Sequence, residues 1–176
     1  MITVDIPGFG EVRIKYLVCD YSGTLSVDGV LLSGVRETLN ELSGKLDIHI
    51  LTADTHGRAK NELEGVNCRL TIIEDANQHF QKEEYIRDLG VDHVFAIGNG
   101  NNDTLMLSAA RIGVAVCLKE GASALALNHA DIAVDSIEDA LNLLLFPNRM
   151  KATLRFSGLL LIRRGNLARF LGTLAP

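Results

Sequence analysis

A chain of 176 residues with 47% apolar and 22% charged side chains can bury one sizeable core and has none of the bias of a disordered or fibrous protein. A net charge of −5 argues against non-specific binding to nucleic acid, although an acidic cleft would suit a divalent cation. Apolar runs such as GLLLI at 158–162 fall far short of the roughly 20 residues that a bilayer-spanning helix needs.

In chain order, residues 1–14 read as an N-terminal hairpin turning at 7–10, with neither the basic start nor the long apolar stretch of a signal peptide. Residues 13–20, RIKYLVCD, read as a buried strand, and 25–32, LSVDGVLL, as a flap with a D-G turn between apolar strands. Val35, Leu39 and Leu42 recur at helical spacing over 33–45, with Ser33 placed to cap the helix. A strand follows at 46–52, LDIHILT, then a short helix at 56–65 ended by Gly65. CRLTIIE, 68–74, is a strand, and 77–90 is an amphipathic helix ended by Gly90. The rhythm continues with strands at 93–99, 112–118 and 131–135 and helices at 102–111, 121–130 and 136–146. Such alternation predicts an α/β fold, a three-layer sandwich around a mostly parallel sheet, in one domain over 1–176.

Cys19, Cys68 and Cys117 are scattered and odd in number, with no C-x-x-C pair, which fits a reducing cytoplasm. Cys19 and Cys117 lie in apolar runs and read as small buried hydrophobes. His56, His79, His93 and His129 show no ligand spacing and read as surface residues, while His49 alternates within its strand and reads as structural. The segment 147–176 has no acid and six basic residues, Arg149, Lys151, Arg155, Arg163, Arg164 and Arg169, interleaved with Leu154, Leu159, Leu161 and Ile162. A basic amphipathic segment can bind membranes or acidic partners. Packing on the acidic body or on a neighbouring subunit is the preferred reading here.

In parallel α/β sheets, ligands sit at the carboxyl ends of the strands. There the sequence puts Asp20, then Thr52 and Ala53, then GNGNND at 98–103, with Lys82 on the helix before that last strand. An aspartate can attack phosphorus, but carboxylate and phosphate repel, so the chemistry calls for a lysine and a divalent cation. Mg²⁺ prefers one or two carboxylates plus neutral oxygens, and Asp20 and Asp103 supply the carboxylates. Thr52 and the backbone at Ala53 suit phosphoryl oxygens, and Lys82 supplies the positive charge, with Lys60 as its rival. Asp54 either caps the next helix or faces the substrate.

DYSGTL at 20–25 resembles the first motif of the haloacid dehalogenase superfamily, D-x-[DTS]-G-T-[LV]. ILT at 50–52 is similar to its second motif, Lys82 stands where its third-motif lysine falls, and GNGNND resembles its fourth, G-D-G-x-N-D. The resemblance covers about residues 12–146. Within the superfamily it looks nearest to the phosphorylation domain of P-type ATPases, with D-K-T-G-T, T-G-D and G-D-G-x-N-D. It implies catalytic roles for Asp20, Ser22, Thr52 and Lys82, phosphate binding by Gly23, Thr52, Ala53, Lys82 and Asn102, and Mg²⁺ held by Asp20, Ser22, Asn99 and Asp103. Too few residues separate the motifs for a cap domain. The implied activity is a cytoplasmic, Mg²⁺-dependent phosphatase acting through an aspartyl-phosphate on a small phosphorylated substrate or a phosphoprotein. A homo-oligomer is expected, with a neighbouring subunit as lid, and neither nucleic acid nor membrane as partner. The alternatives are slow nucleotide hydrolysis and a non-catalytic, phosphate-binding regulator. Two departures keep those open: Ser22 stands where phosphatases carry an acid–base aspartate, and Asn99 where the family carries a metal-binding one.

Overall fold

Six strands line up side by side in the computed structural model, which describes residues 1–54, 57–74 and 76–156. The chain begins with the antiparallel hairpin β1 (Ile2–Ile6) and β2 (Gly10–Ile14), paired from Ile2↔Ile14 to Ile6↔Gly10. There follow β3 (Tyr16–Asp20), the flap strands β4 (Ser26–Val27) and β5 (Val30–Leu31), α1 (Val35–Ser43), β6 (Asp47–Thr52), α2 (Ala59–Glu62), β7 (Arg69–Ile72) and α3 (Gln78–Leu89). The second half runs β8 (Val94–Gly98), α4 (Thr104–Ala109), β9 (Ile112–Val116), α5 (Ala124–His129), β10 (Ile132–Val134), α6 (Ile137–Leu145) and α7 (Pro147–Leu154).

The main sheet has the order β10-β9-β8-β3-β6-β7, and every pairing in it is parallel. From β3 the chain winds outward through β6 to β7, then returns to β8 on the other side of β3 and winds outward again. The order therefore reverses between β3 and β8, where such sheets open a crevice beyond their carboxyl ends.

Strand alternation sorts the core into two faces. Leu17, Cys19, Ile48, Ile50, Phe95 and Ile97 face α1, α6, α7 and the N-terminal hairpin, with Leu39, Leu141 and Met150 packed among them. Val18, Leu51, Val94 and Ala96 face the opposite layer, meeting Ile86 of α3, Met106 and Leu107 of α4 and Ala126 of α5. β3, β8 and β9 are apolar on both sides because helices cover both sides. His49 is a buried polar residue in the middle of β6; its Nδ1 lies 2.8 Å from the Tyr85 hydroxyl of α3, and burial lowers its pKa. No helix among the described residues is long and apolar enough to cross a membrane.

Local details correct the sequence reading in four places. The expected strand at 13–20 is two strands: Arg13 and Ile14 finish the hairpin, and the main sheet begins at Tyr16. Ser33 does not cap α1, because the chain enters that helix through Gly34 in the left-handed conformation, φ 80°. The helix expected up to Gly65 is the four-residue α2 and stops before Leu63. Cys117 is exposed rather than buried; it is the first residue past β9, where the sandwich no longer covers the chain, while Cys19 is buried as expected. In the basic C-terminal segment, Met150 of α7 packs into the core and Arg149 lies 3.8 Å from Asp139. Leu159, Leu161, Ile162, Arg163, Arg164 and Arg169, like His56, lie outside the described residues.

Candidate active site

β3 ends on Asp20, and the chain must turn at once to leave the crevice open. The Tyr21 carbonyl gathers the turn: it accepts from the N–H groups of Thr24, Leu25 and Ser26 at 3.3, 2.9 and 3.0 Å and from the Ser26 hydroxyl at 3.0 Å. That geometry needs Gly23, at φ 73°, where a Cβ would stand 2.4 Å from Asn99 Nδ2. The glycine of DYSGTL is thus dictated by the close approach of the loop that follows β8.

The same loop pins Asp103. Its Oδ2 accepts from the N–H groups of Asn99 and Gly100 at 3.0 and 2.9 Å. Gly98 leaves the room, since a Cβ there would stand 2.5 Å from Asp103 Cγ. From α3, Lys82 reaches down between the two strand ends. Its Nζ donates to Asp20 Oδ1 at 2.5 Å and to Asp103 Oδ1 at 2.6 Å. Helical spacing puts Ile86 on the same face of α3, in the core, and the Tyr85 contact to His49 fixes the helix on the sheet. Lys60, the rival cation, is exposed on α2.

Thr52 closes the crevice on the β6 side, one residue past the Asp20↔Leu51 pair. It is 1% exposed, and its Oγ1 accepts from the Asp54 N–H at 2.9 Å, which leaves the hydroxyl hydrogen to donate. Ala53 is half-buried beside it. Asp54 serves as a cap: its Oδ1 accepts from the N–H groups of Arg58 and Ala59 at 2.9 and 3.0 Å, at the start of α2.

The remaining candidates stand at the rim. Ser22 is half-buried in the turn, bridged to Ser26. Asn99 is occupied with holding loops together: its Oδ1 accepts from Thr24 Oγ1 at 3.2 Å and its Nδ2 donates to the Gly121 carbonyl at 3.1 Å. That leaves the amide oxygen one lone pair for a cation. Asn102 donates from Nδ2 to Gln78 Oε1 at 2.7 Å, which fixes it against the start of α3. Thr24 escaped the sequence reading. It is fully buried, and it tethers Asn99 by donating its one hydroxyl hydrogen to the Asn99 amide oxygen. Its signal lay inside the same hexapeptide, as the hydroxyl after the required glycine.

Electrostatics give the cluster its character. Asp20 keeps only 5% exposure, and burial raises its pKa to about 6, with Lys82 opposing the rise and Asp103 adding to it. Burial also works against the Lys82 charge, but the Asp20 and Asp103 carboxylates outweigh it and hold the ammonium well above the ordinary lysine range. Two carboxylates against one ammonium leave one negative charge in excess at a site the protein has already desolvated. Among the described residues no three His, Cys, Asp or Glu side chains gather at one point, so further donors must be neutral oxygens. Few carboxylates with neutral oxygens and water fit Mg²⁺ and do not fit zinc.

The family model for haloacid dehalogenase-like hydrolases matches residues 41–140. An uncharacterized protein of Methanocaldococcus jannaschii is 52% identical over 62 residues, which make up 35% of this chain and 67% of that one. Among solved structures, the cobalt-bound deoxy-D-mannose-octulosonate 8-phosphate phosphatase of Haemophilus influenzae superposes with a TM-score of 0.64 at 12% identity, covering 82% of this chain and 94% of that one. The 3-deoxy-D-manno-octulosonate 8-phosphate phosphatase of Moraxella catarrhalis, in complex with magnesium, phosphate and KDO, gives 0.59 at 14% identity, covering 92% and 94%. At such identities the structures speak to the fold.

Proposed function

Because the chain belongs to the haloacid dehalogenase-like hydrolases, we infer that it is a Mg²⁺-dependent phosphatase that takes a phosphoryl group onto Asp20 and releases it to water. The observation that carries this reading is the Lys82 ammonium shared between Asp20 and Asp103 at the point where the strand order reverses. Structural salt bridges rarely bury two acids on one lysine, since each ion loses its water. A site meant to receive a dianion has reason to keep that cation in place.

The steps follow from the groups present. A carboxylate oxygen of Asp20 attacks phosphorus, and the bond from phosphorus to the ester oxygen breaks with its electron pair going to the leaving group. Thr52, the backbone at Ala53 and Lys82 would donate to the transferring oxygens. Water then attacks the acyl phosphate, the bond to Asp20 breaks, and inorganic phosphate leaves. Asp20 and Asp103, with oxygens of Ser22 and Asn99, would hold Mg²⁺. That ion supplies charge neutralisation between carboxylate and phosphate. The magnesium and phosphate in the Moraxella structure support the same reading. The test is hydrolysis of an aryl phosphate: turnover with Mg²⁺ that disappears in EDTA is expected, and full activity in EDTA would sink the proposal.

Ser22 sets the pace in this account. A serine hydroxyl cannot exchange protons near neutral pH as a carboxylate can, so attack of water on the aspartyl-phosphate lacks a base. Dephosphorylation should limit the rate, and a chromogenic ester should give a pre-steady-state burst of leaving group. Ser22→Asp is expected to raise turnover by about tenfold or more. No burst and no gain would place the base elsewhere. The commitment of the Asn99 amide to Thr24 and Gly121 favours one further reading, a phosphate-binding protein with little turnover. It predicts a stable beryllofluoride adduct on Asp20 without measurable hydrolysis.

A further inference from the structure

The flap that follows the turn after Asp20 is too small to hold itself up. β4 and β5 are two residues each, joined by Asp28 and Gly29 at φ 52° and 77°, and an isolated two-stranded ribbon of any length is marginal in water. Three hydrogen bonds from outside the ribbon hold it, one local and two long-range. From below, the hydroxyl of Tyr21, next to Asp20, donates to the Gly29 carbonyl at 3.0 Å. On one flank, Glu62 Oε2 of α2 accepts from the Leu31 N–H at 3.0 Å. At the tip, Glu120 Oε1 accepts from the Asp28 N–H at 2.9 Å across 92 residues of sequence.

Glu120 is presented by a built turn. The Gly121 N–H donates to the Leu118 carbonyl at 2.9 Å, and Asn99 fixes the segment twice, through Nδ2 to the Gly121 carbonyl and through its own carbonyl to the Ser123 N–H at 2.8 Å. The second carboxylate oxygen lies against the turn after Asp20, where a Cβ on Gly23 would stand 3.1 Å from it. One exposed side chain thus touches both the flap tip and the turn that carries the nucleophile. A carboxylate accepting a backbone N–H makes a charge-assisted bond, stronger than a neutral one.

We propose that Glu120 is a positioning residue for phosphoryl transfer: it latches the flap tip at Asp28 over Asp20 and so sets the mouth that admits the substrate's leaving group. The catalytic half of this statement rests on the phosphatase reading; the latch itself does not. Because the side chain is exposed, its removal does not open the core, and the melting temperature should fall by only about 3–6 °C, the share of the one hydrogen bond lost.

The test combines amide hydrogen exchange by NMR on the full chain with steady-state hydrolysis of an aryl phosphate in Mg²⁺. In Glu120→Ala, exchange at the Asp28 amide should accelerate by about tenfold or more, the worth of a hydrogen bond to a charged group. kcat/KM should fall by about tenfold, with KM carrying most of the change. Glu120→Gln keeps an acceptor oxygen and should recover most of both, while Lys119→Ala should alter neither. Unchanged Asp28 exchange in Glu120→Ala would overturn the latch. Faster exchange with unaltered kcat/KM would overturn its role in positioning. A wild type without turnover would overturn the phosphatase reading and the catalytic half with it, while exchange still decides whether Glu120 holds the flap.

Discussion

Replacing Asp20 with asparagine is expected to lower turnover by about four orders of magnitude or more while making the metal-free protein more stable at neutral pH. The loss follows because an amide cannot attack phosphorus and leave a hydrolysable acyl phosphate. The gain follows from the direction in which the fold moves this carboxyl. Chiefly through burial, the folded protein holds the Asp20 proton up to about pH 6, against a value of 3.8 for the free side chain. Above pH 6 the ionised group therefore counts against the metal-free fold, and the penalty fades as pH falls from 6 towards 4. The difference between the folded and the free carboxyl is worth roughly 3 kcal/mol at most. Asp20→Asn, which still leaves Lys82 paired with Asp103, should melt several degrees higher than the wild type at pH 7.5 and about level with it near pH 4. Thermal melts in EDTA at the two pH values check this. Equal melting temperatures at pH 7.5 would mean that the buried carboxylate is not under strain.

Lys82→Met has the larger effect on the fold. It leaves Asp20 and Asp103, each almost wholly buried, facing one another with no counter-charge. Breaking a buried ion pair on one side costs about 3–5 kcal/mol, which for a chain of this size lowers the melting temperature by roughly 10 °C. Mg²⁺ should return a good part of that loss, because the two carboxylates now bind it without competition from the ammonium. The variant should therefore show a far steeper dependence of melting temperature on Mg²⁺ than the wild type, and no turnover at any concentration. A variant as stable as the wild type in EDTA would contradict the charge arrangement.

How far the sequence foretold this site differs from residue to residue, for physical reasons. Asp20, Thr52 and the 98–103 loop could be placed because each follows an apolar run that reads as a buried parallel strand, and parallel topology brings such ends to one edge. The motif order favoured Lys82 over Lys60, but the contrast in their burial is visible only in three dimensions: both lie on helices with polar surroundings, and burial of one ammonium between two acids leaves no periodic trace. The motif reading gave Asn99 to the metal but could not show that its side chain is also engaged by Thr24 and Gly121, contacts made across 75 and 22 residues. Glu120 was invisible for the same reason, since a carboxylate in a polar turn looks like any solvated loop acid until the flap tip is seen against it. The misjudged cap of α1 and the shortened α2 are local errors of another kind: propensity marks the region of a helix end but not which residue takes the left-handed conformation there.

Asp20 itself is expected to receive the phosphoryl group. A single-turnover reaction with a phosphate ester labelled on phosphorus, quenched in acid and digested, tests it most directly, because an acyl phosphate survives acid long enough to be mapped. Label is expected on the peptide containing Asp20, released by hydroxylamine, accumulating in the wild type and reduced in Ser22→Asp. Turnover with no labelled peptide, or label on a residue other than Asp20, would contradict it.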